Sequence, residues 1–307
     1  MKIGIDMGGT KIEGIVLDDV GAELGRARAA TPTGDYTATL EVVAGLVATL
    51  AQRHGVNPSV PVGVGIPGTV SPATGLIKNA NSTCLIGHRL DADLAAKLGR
   101  EVRLANDADC FAVSEAADGA GQGARTVFGV ILGTGVGGGL VVAGRLWVGP
   151  NAISGEWGHN PLPWPKTAAE SPDGRDERPG RECYCGKRGC IETFLSGPGL
   201  EADYKEATGS ACDAAAIVAL AEAGDGDAEA ALARYEDRLA RALSTVINVV
   251  DPEVIVLGGG LSNVARLYEN VPKLWQNWVF SDRCDTRLAR NRHGDSSGVR
   301  GAAWLWP

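Results

Sequence analysis

The chain has 307 residues, 44% of them hydrophobic, enough for a sizeable core and longer than one core usually organises, so two domains are expected. A net charge of −8 argues against a nucleic-acid surface, no run of about 18 apolar residues marks a membrane span, and the N-terminus lacks the apolar stretch of a signal peptide. Glycine is the outlier at 43 residues, about twice the usual ~7%, which points to many tight turns and close backbone approaches.

The opening KIGIDMGGTKIEGIVLD reads as a hairpin, strands 2–6 and 12–17 joined by a glycine turn. Leu40, Val43, Ala44 and Val47 recur at helical spacing and predict a helix over 37–52. VPVGVGIPG (60–68) is a buried-type strand ending in a Pro-Gly turn. A helix over 90–98, the strand EVRLAND and a helix over 108–117 follow. TVFGVILGTGVGGGLVVAG (126–144) repeats the strand, glycine turn, strand theme. The stretch 161–181, rich in Pro and charge, reads as an exposed loop. An amphipathic helix over 228–250 places Leu239, Leu243, Val246 and Val250 on one face. EVIVLGGGLSN (253–263) is a strand and glycine turn leading into a helix. The repeated theme suggests a duplicated architecture with a cleft between halves. The expected boundary lies in DGAGQGAR (118–125), giving domains 1–118 and 119–290, with 291–307 returning to the first.

The glycine turns suit phosphate oxygens, because backbone N–H groups in such turns face a bound anion. DMGGTK is too short for a Walker A loop and enters a strand, yet Asp6 and Lys11 flank it without being needed for a turn. GTGVGGG contains GxGxxG, but LVVAGRLWV after it has a strand pattern, which argues against a Rossmann fingerprint. A second phosphate turn is the better account, with LGGG (257–260) receiving the nucleoside portion. Asp107, after a strand and at the start of a helix, is either part of an ordinary helix cap or the carboxylate that phosphoryl transfer needs to accept a hydroxyl proton.

DMGGTK, GIPG, LANDAD, GTGVGGG, GEWGH, CYCGKRGCIE and VIVLGGG occur in an order that resembles the ROK family of bacterial sugar kinases and sugar-responsive repressors. The resemblance runs from Met1 to GDSSGVRGAAWLW. It implies an α/β actin-like, hexokinase-type (ribonuclease H-like) fold of two domains with an interdomain cleft, closing over sugar and Mg-ATP. It implies that Asp107 is the base for the sugar 6-hydroxyl, and that Gly68, Asn79, Asn106, Glu156, His159 and Glu192 surround the sugar. Gly8, Gly9, Thr10, Lys11, Gly133, Thr134, Gly135 and Gly137 would hold ATP phosphates, Gly258, Gly259 and Gly260 the nucleoside, and Asp6 would lie near Mg²⁺. It also implies a homodimer. The repressors' DNA-binding segment has no room before residue 6. VSPATGLIKNANSTC (70–84) and EWGHNPLPW (156–164) resemble bacterial fructokinases that also accept mannose, while GTGVGGGL and the cysteine motif are also highly similar to N-acetylglucosamine kinases, which usually lack the KNANST and NPLPW wording. Fructose is the expected acceptor, with mannose second. A glucose or N-acetylglucosamine kinase and a non-catalytic sugar sensor are the alternatives.

Seven cysteines, three close together, suit a reducing cytoplasm better than a secreted disulfide framework. Cys183, Cys185 and Cys190 have the spacing C-x-C-x4-C, which fits free thiols and a metal site equally. The resemblance adds His159 as a fourth ligand, and Cys3His is the closed set of structural zinc. Such an ion would fix Glu156 and Glu192 relative to each other. Cys84, Cys110, Cys212 and Cys284 are expected to be buried small hydrophobes.

Overall fold

A computed structural model describes residues 1–80, 82–171 and 173–306, with the side chain of Asp295 left aside. The chain forms two compact units. Met1–Arg125, Gly139–Gly155 and Arg292–Pro307 make up the first, Thr126–Gly138 and Glu156–Asn291 the second. The division departs from the expected boundary near 118, because 119–125 and 139–155 belong with the N-terminal residues. Here Ala143 N donates to Arg125 O and Trp147 N to Leu140 O, tying the returning segment together.

The first unit contains β1 (Lys2–Met7), β2 (Lys11–Leu17), β3 (Glu23–Ala30), α1 (Tyr36–His54), β4 (Val62–Ile66), β5 (Thr69–Val70), β6 (Ile77–Lys78), α2 (Leu90–Leu98), β7 (Val102–Asn106) and α3 (Asp107–Ala117). Next come β8 (Thr126–Leu132), β9 (Val136–Val142) and β10 (Arg145–Leu146). The second unit continues with α4 (Glu192–Leu195), α5 (Gly197–Thr208), α6 (Ala214–Glu222), α7 (Gly226–Val250), β11 (Val254–Gly258), α8 (Leu267–Trp275) and β12 (Arg287–Arg290), and α9 (Ser297–Ala303) belongs to the first.

One sheet has the order β3-β2-β1-β4-β7 and another β10-β9-β8-β11-β12, the same pattern of a hairpin followed by parallel strands. β1, β4 and β7 run parallel, so Met7, Ile66 and Asn106 all lie at one end of the sheet. β1, β2 and β4 contribute Ile3, Ile5, Ile12, Val16, Val62 and Val64 to the core, and α1 covers it with Val43, Val47 and Leu50. Burial of such side chains contributes roughly 1.5–3 kcal/mol each.

Two elements carry little sequence signal. β3 has no fully buried residue, and α9 is a run of small residues packed on the sheet. A Cβ at Gly63 would lie 1.8 Å from Ala302 O, and one at Gly301 1.7 Å from Cys110 O. Glycine there lets α9 pack backbone to backbone, which accounts for part of the glycine excess.

Other expectations need correcting. The stretch 161–181 is irregular but not simply exposed. Leu162 and Glu177 are buried, and Glu177 Oε1 accepts from Arg238 Nε and Arg241 Nη2, each at 2.8 Å. Pro172 within it lies outside the described residues. Of the four scattered cysteines only Cys110 is buried, and Cys84, Cys212 and Cys284 are half-buried. Val250, the last residue of α7, is also half-buried. The third glycine turn leads into a 3₁₀ turn, Gly260–Asn263, before α8 begins. Among the described residues no helix is long and apolar enough to cross a membrane.

Candidate active site and thiol cluster

The first unit brings together Asp6, the 8–11 turn, Gly68, Asn79, Asn106 and Asp107. Asp6 pairs with Gly65 near the end of β1, and Asn106 pairs with Ile66 at the end of β7. Asn106 is the N-cap of α3. Its oxygen accepts from Ala108 N at 2.8 Å while its amide donates to Gly68 O at 3.3 Å. That pair of bonds fixes the start of α3 and hence Asp107, whose Oδ1 also accepts from Ala108 N at 2.8 Å. Asp107 keeps an exposed face. Loss of solvation still raises its pKa, against the opposing pull of N–H groups at the helix start and of Asn106. Asp6 is pushed up to about 6, by burial first and then by the charges of Asp107 and Glu13.

The 8–11 turn is clamped from β3's end. Thr31 Oγ1 donates to Gly8 O at 2.7 Å and Thr31 N to Thr10 O at 3.1 Å. Gly9 and Thr10 are exposed, and nothing lies near where a Gly9 side chain would be. Lys11 is half-exposed and its Nζ lies 3.5 Å from Glu13, which also binds Arg26 and Arg28. Asn79 follows β6 with φ of +54° and an exposed side chain. A Cβ on Gly68 would lie 2.8 Å from that of Ala80, so residues 78–80 pack directly beside the Gly68–Asn106 pair. Asn81, the next residue, lies outside the described residues.

The second unit assembles the other residues. In the 133–137 turn, Gly133 N donates to Gly135 O at 3.0 Å, and Thr134 is exposed. Glu192, the first residue of α4, accepts from Val136 N at 3.0 Å through Oε2, and a Cβ on residue 135 would sit 2.7 Å from that oxygen. Gly137 O accepts from the buried Trp157 indole at 3.0 Å. Gly258 ends β11, and Gly259 has φ of +78° with its Cβ position 2.4 Å from Leu132 O. Only glycine fits there, and Gly260 beside it is open. β9 follows the GxGxxG pattern, as a strand and not the helix of a Rossmann unit.

Glu156 is exposed and precedes the 3₁₀ turn Trp157–His159. The loop then pairs Pro161 with Cys190, and Ile191 N donates to Asn160 O at 2.9 Å. These contacts gather His159, Cys183, Cys185 and Cys190, whose donor atoms all lie within 4.8 Å of one another. Cys185 and Cys190 are 3.6 Å apart at sulfur, and Cys183 Sγ is 3.6 Å from His159 Nδ1. Tetrahedral zinc bonds of about 2.3 Å to sulfur and 2.0–2.1 Å to nitrogen require edges of about 3.6–3.8 Å, and these two edges match that requirement. The other ring nitrogen, Nε2, lies 3.0 Å from Tyr184 Oη. Burial pushes the Cys190 thiol up to about 12 and raises Cys183, while the Lys187 backbone N–H holds Cys185 below the usual value. A bound cation would have to displace those thiol protons.

Sequence reasoning missed Thr31, Tyr184 and the bond from Val136 to Glu192. Only Tyr184 had a local signal, its place between two cysteines.

Residues 2–307 match the sequence pattern of the ROK family. The chain belongs to the ROK family. It is 42% identical over 305 residues, 99% of either chain, to the N-acetyl-D-glucosamine kinase of Salmonella heidelberg. Its fold is similar to that of the ROK hexokinase from Thermus thermophilus, at a TM-score of 0.85 and 30% identity, covering 99% of this chain and 97% of that one. It is also similar to a ROK family glucokinase from Streptomyces griseus solved with glucose and AMPPNP, at a TM-score of 0.75 and 27% identity, covering 99% and 98%. The fold of this ROK protein is therefore the hexokinase-type α/β fold.

Proposed function

We propose that this ROK protein transfers the terminal phosphoryl group of ATP to the 6-hydroxyl of a hexose. The observation that carries the reading is Asp107, fixed at the start of α3 by Asn106 and with a raised pKa, as a general base requires. Asp107 takes the hydroxyl proton as the oxygen attacks phosphorus, and the O–P bond to ADP breaks. Asn106, Glu156, His159 and Glu192 orient sugar hydroxyls by hydrogen bonds that a wrong sugar leaves unpaired. The turns at Gly8–Lys11 and Gly133–Gly137 take the phosphates, and Gly258–Gly260 the nucleoside. Asp6 is the carboxylate for Mg²⁺, a hard ion that prefers oxygen ligands and, when bound, neutralises phosphate charge. His159, Cys183, Cys185 and Cys190 hold zinc as a structural ion.

For the acceptor we propose D-fructose, with mannose second. The support is residues 78–80 of the KNAN stretch, which lie beside the Gly68–Asn106 pair. The NPLPW segment carries less weight, because Pro163 and Trp164 offer their carbonyls to Arg241 and Trp164 stacks on Trp278. The name of the 42% identical relative favours a second reading, N-acetylglucosamine. Incubation with Mg-ATP and each hexose, followed by phosphorus NMR, tests the chemistry. A hexose 6-phosphate is expected, and a 1-phosphate or no product contradicts the reading.

A further inference from the structure

Glu192 is tied to the 133–137 turn as well as to the sugar segment. Its Oε2 accepts from Val136 N at 3.0 Å, and a Cβ on residue 135 would lie 2.7 Å from that oxygen, so a larger residue there would push the carboxylate aside. Val136 O is equally crowded: a Cβ on Gly158 would come within 2.3 Å of it. The Trp157 indole donates to Gly137 O at 3.0 Å and stands edge-on to Phe128, at 6.0 Å between ring centres. At the turn's other end, Gly197 N donates to Gly133 O at 2.8 Å. The turn is therefore braced by GEWGH and by the segment after Cys190, both on the sugar side of the same unit.

We propose that Glu192 is a positioning residue for the phosphate turn: one carboxylate oxygen sets the backbone of 135–137 for nucleotide while the other remains for a hexose hydroxyl. The proposal rests on the kinase reading and adds a shared residue through which sugar and nucleotide sites influence each other. A carboxylate is otherwise a poor neighbour for a phosphate turn, because its charge repels the anion. The hydrogen bond to a backbone N–H gives it a reason to be there, since bonds of an ionised acceptor are about twice as strong as neutral ones. Any such coupling is reciprocal, so hexose bound at Glu192 and nucleotide bound at the turn change each other's affinity by the same factor.

The test is calorimetric titration of zinc-replete protein with Mg-AMPPNP, without sugar, in wild type, Glu192→Ala and Glu192→Gln. Loss of the brace in Glu192→Ala is expected to weaken nucleotide binding at least about 10-fold, about the worth of one charge-assisted hydrogen bond. Glu192→Gln keeps a neutral, weaker acceptor for Val136 N and is expected to bind nucleotide with an affinity between those of wild type and Glu192→Ala, while both variants lose hexose affinity. If the alanine variant does not fold, Glu192→Asp takes its place with the same expectation, its carboxylate being one methylene short of Val136 N. Unchanged or tighter nucleotide binding in the alanine or aspartate variant would show that Glu192 acts on sugar alone and overturn the proposal. Equal weakening in alanine and glutamine variants overturns it too, because the amide then fails to rescue. Wild-type protein that bound no nucleotide would overturn the kinase reading, and this proposal with it.

Discussion

Asp6 and Asp107 stand at the same end of the first unit's sheet, on either side of β4, and the charge of Asp107 helps push the Asp6 carboxyl up to about 6. Two carboxylates close enough to sense each other disfavour double ionisation. Asp6 therefore costs stability when ionised. Its folded pKa exceeds the unfolded value, so the penalty is absent below about pH 4, grows towards pH 6 and is complete above it. From 3.8 to about 6 the penalty reaches about 3 kcal/mol. Asp6→Asn is expected to raise the thermal midpoint of ligand-free protein by roughly 5 °C at pH 8 and by much less at pH 4.5. An equal gain at both values contradicts the account, as does no gain.

Asp107→Asn keeps the side chain's size and removes the base. The variant is expected to fold and to bind hexose near normally while kcat falls at least ~10²-fold. Near-normal turnover excludes Asp107 from proton transfer.

Glu177 anchors the long loop between His159 and Cys183 through Arg238 and Arg241, and Arg241 is fully buried. Glu177→Ala leaves two buried guanidinium groups short of a partner, a change that typically costs about 3–5 kcal/mol. Hydrogen exchange is expected to speed up in 161–181 before it does in the first unit's sheet. Exchange as slow as in wild type argues against the anchor.

Chelation of the ion proposed for His159 and the three cysteines is expected to disorder 155–193 and weaken hexose affinity more than nucleotide affinity. Because the buried thiols must lose protons, metal uptake is also expected to weaken as pH falls. A demonstrably metal-free sample that bound hexose normally contradicts the structural role.

Lys11 touches Glu13 at 3.5 Å and is half-exposed, so its position suits either a phosphate contact or a solvated strand residue. A phosphate contact predicts that Lys11→Ala raises the KM for ATP, and an unchanged KM assigns the residue to the strand.

Much of the sheet was legible because alternating or continuous apolar runs such as KIGID and EVIVLG have few other uses. β3 escaped notice because its residues form an exposed edge with no apolar face, and α9 because alanine and glycine carry no periodic signal. Glu177 read as loop charge. Its burial depends on Arg238 and Arg241, more than 60 residues away along the chain. The thiol cluster was legible as residue types but not as a geometry, since the bridge between Pro161 and Cys190 brings His159 to the sulfurs. Glu192 was expected from the sequence only as a sugar contact. Its bond to Val136 joins positions 56 residues apart and left no local signal in the sequence.

The most direct measurement is kcat/KM with Mg-ATP for fructose, mannose, glucose and N-acetylglucosamine, followed by coupled ADP release in zinc-replete protein. The account predicts the highest value for fructose and the next for mannose. A strong preference for N-acetylglucosamine would contradict the proposed acceptor while leaving Asp107 its role, and no ADP release with any hexose would contradict the kinase itself.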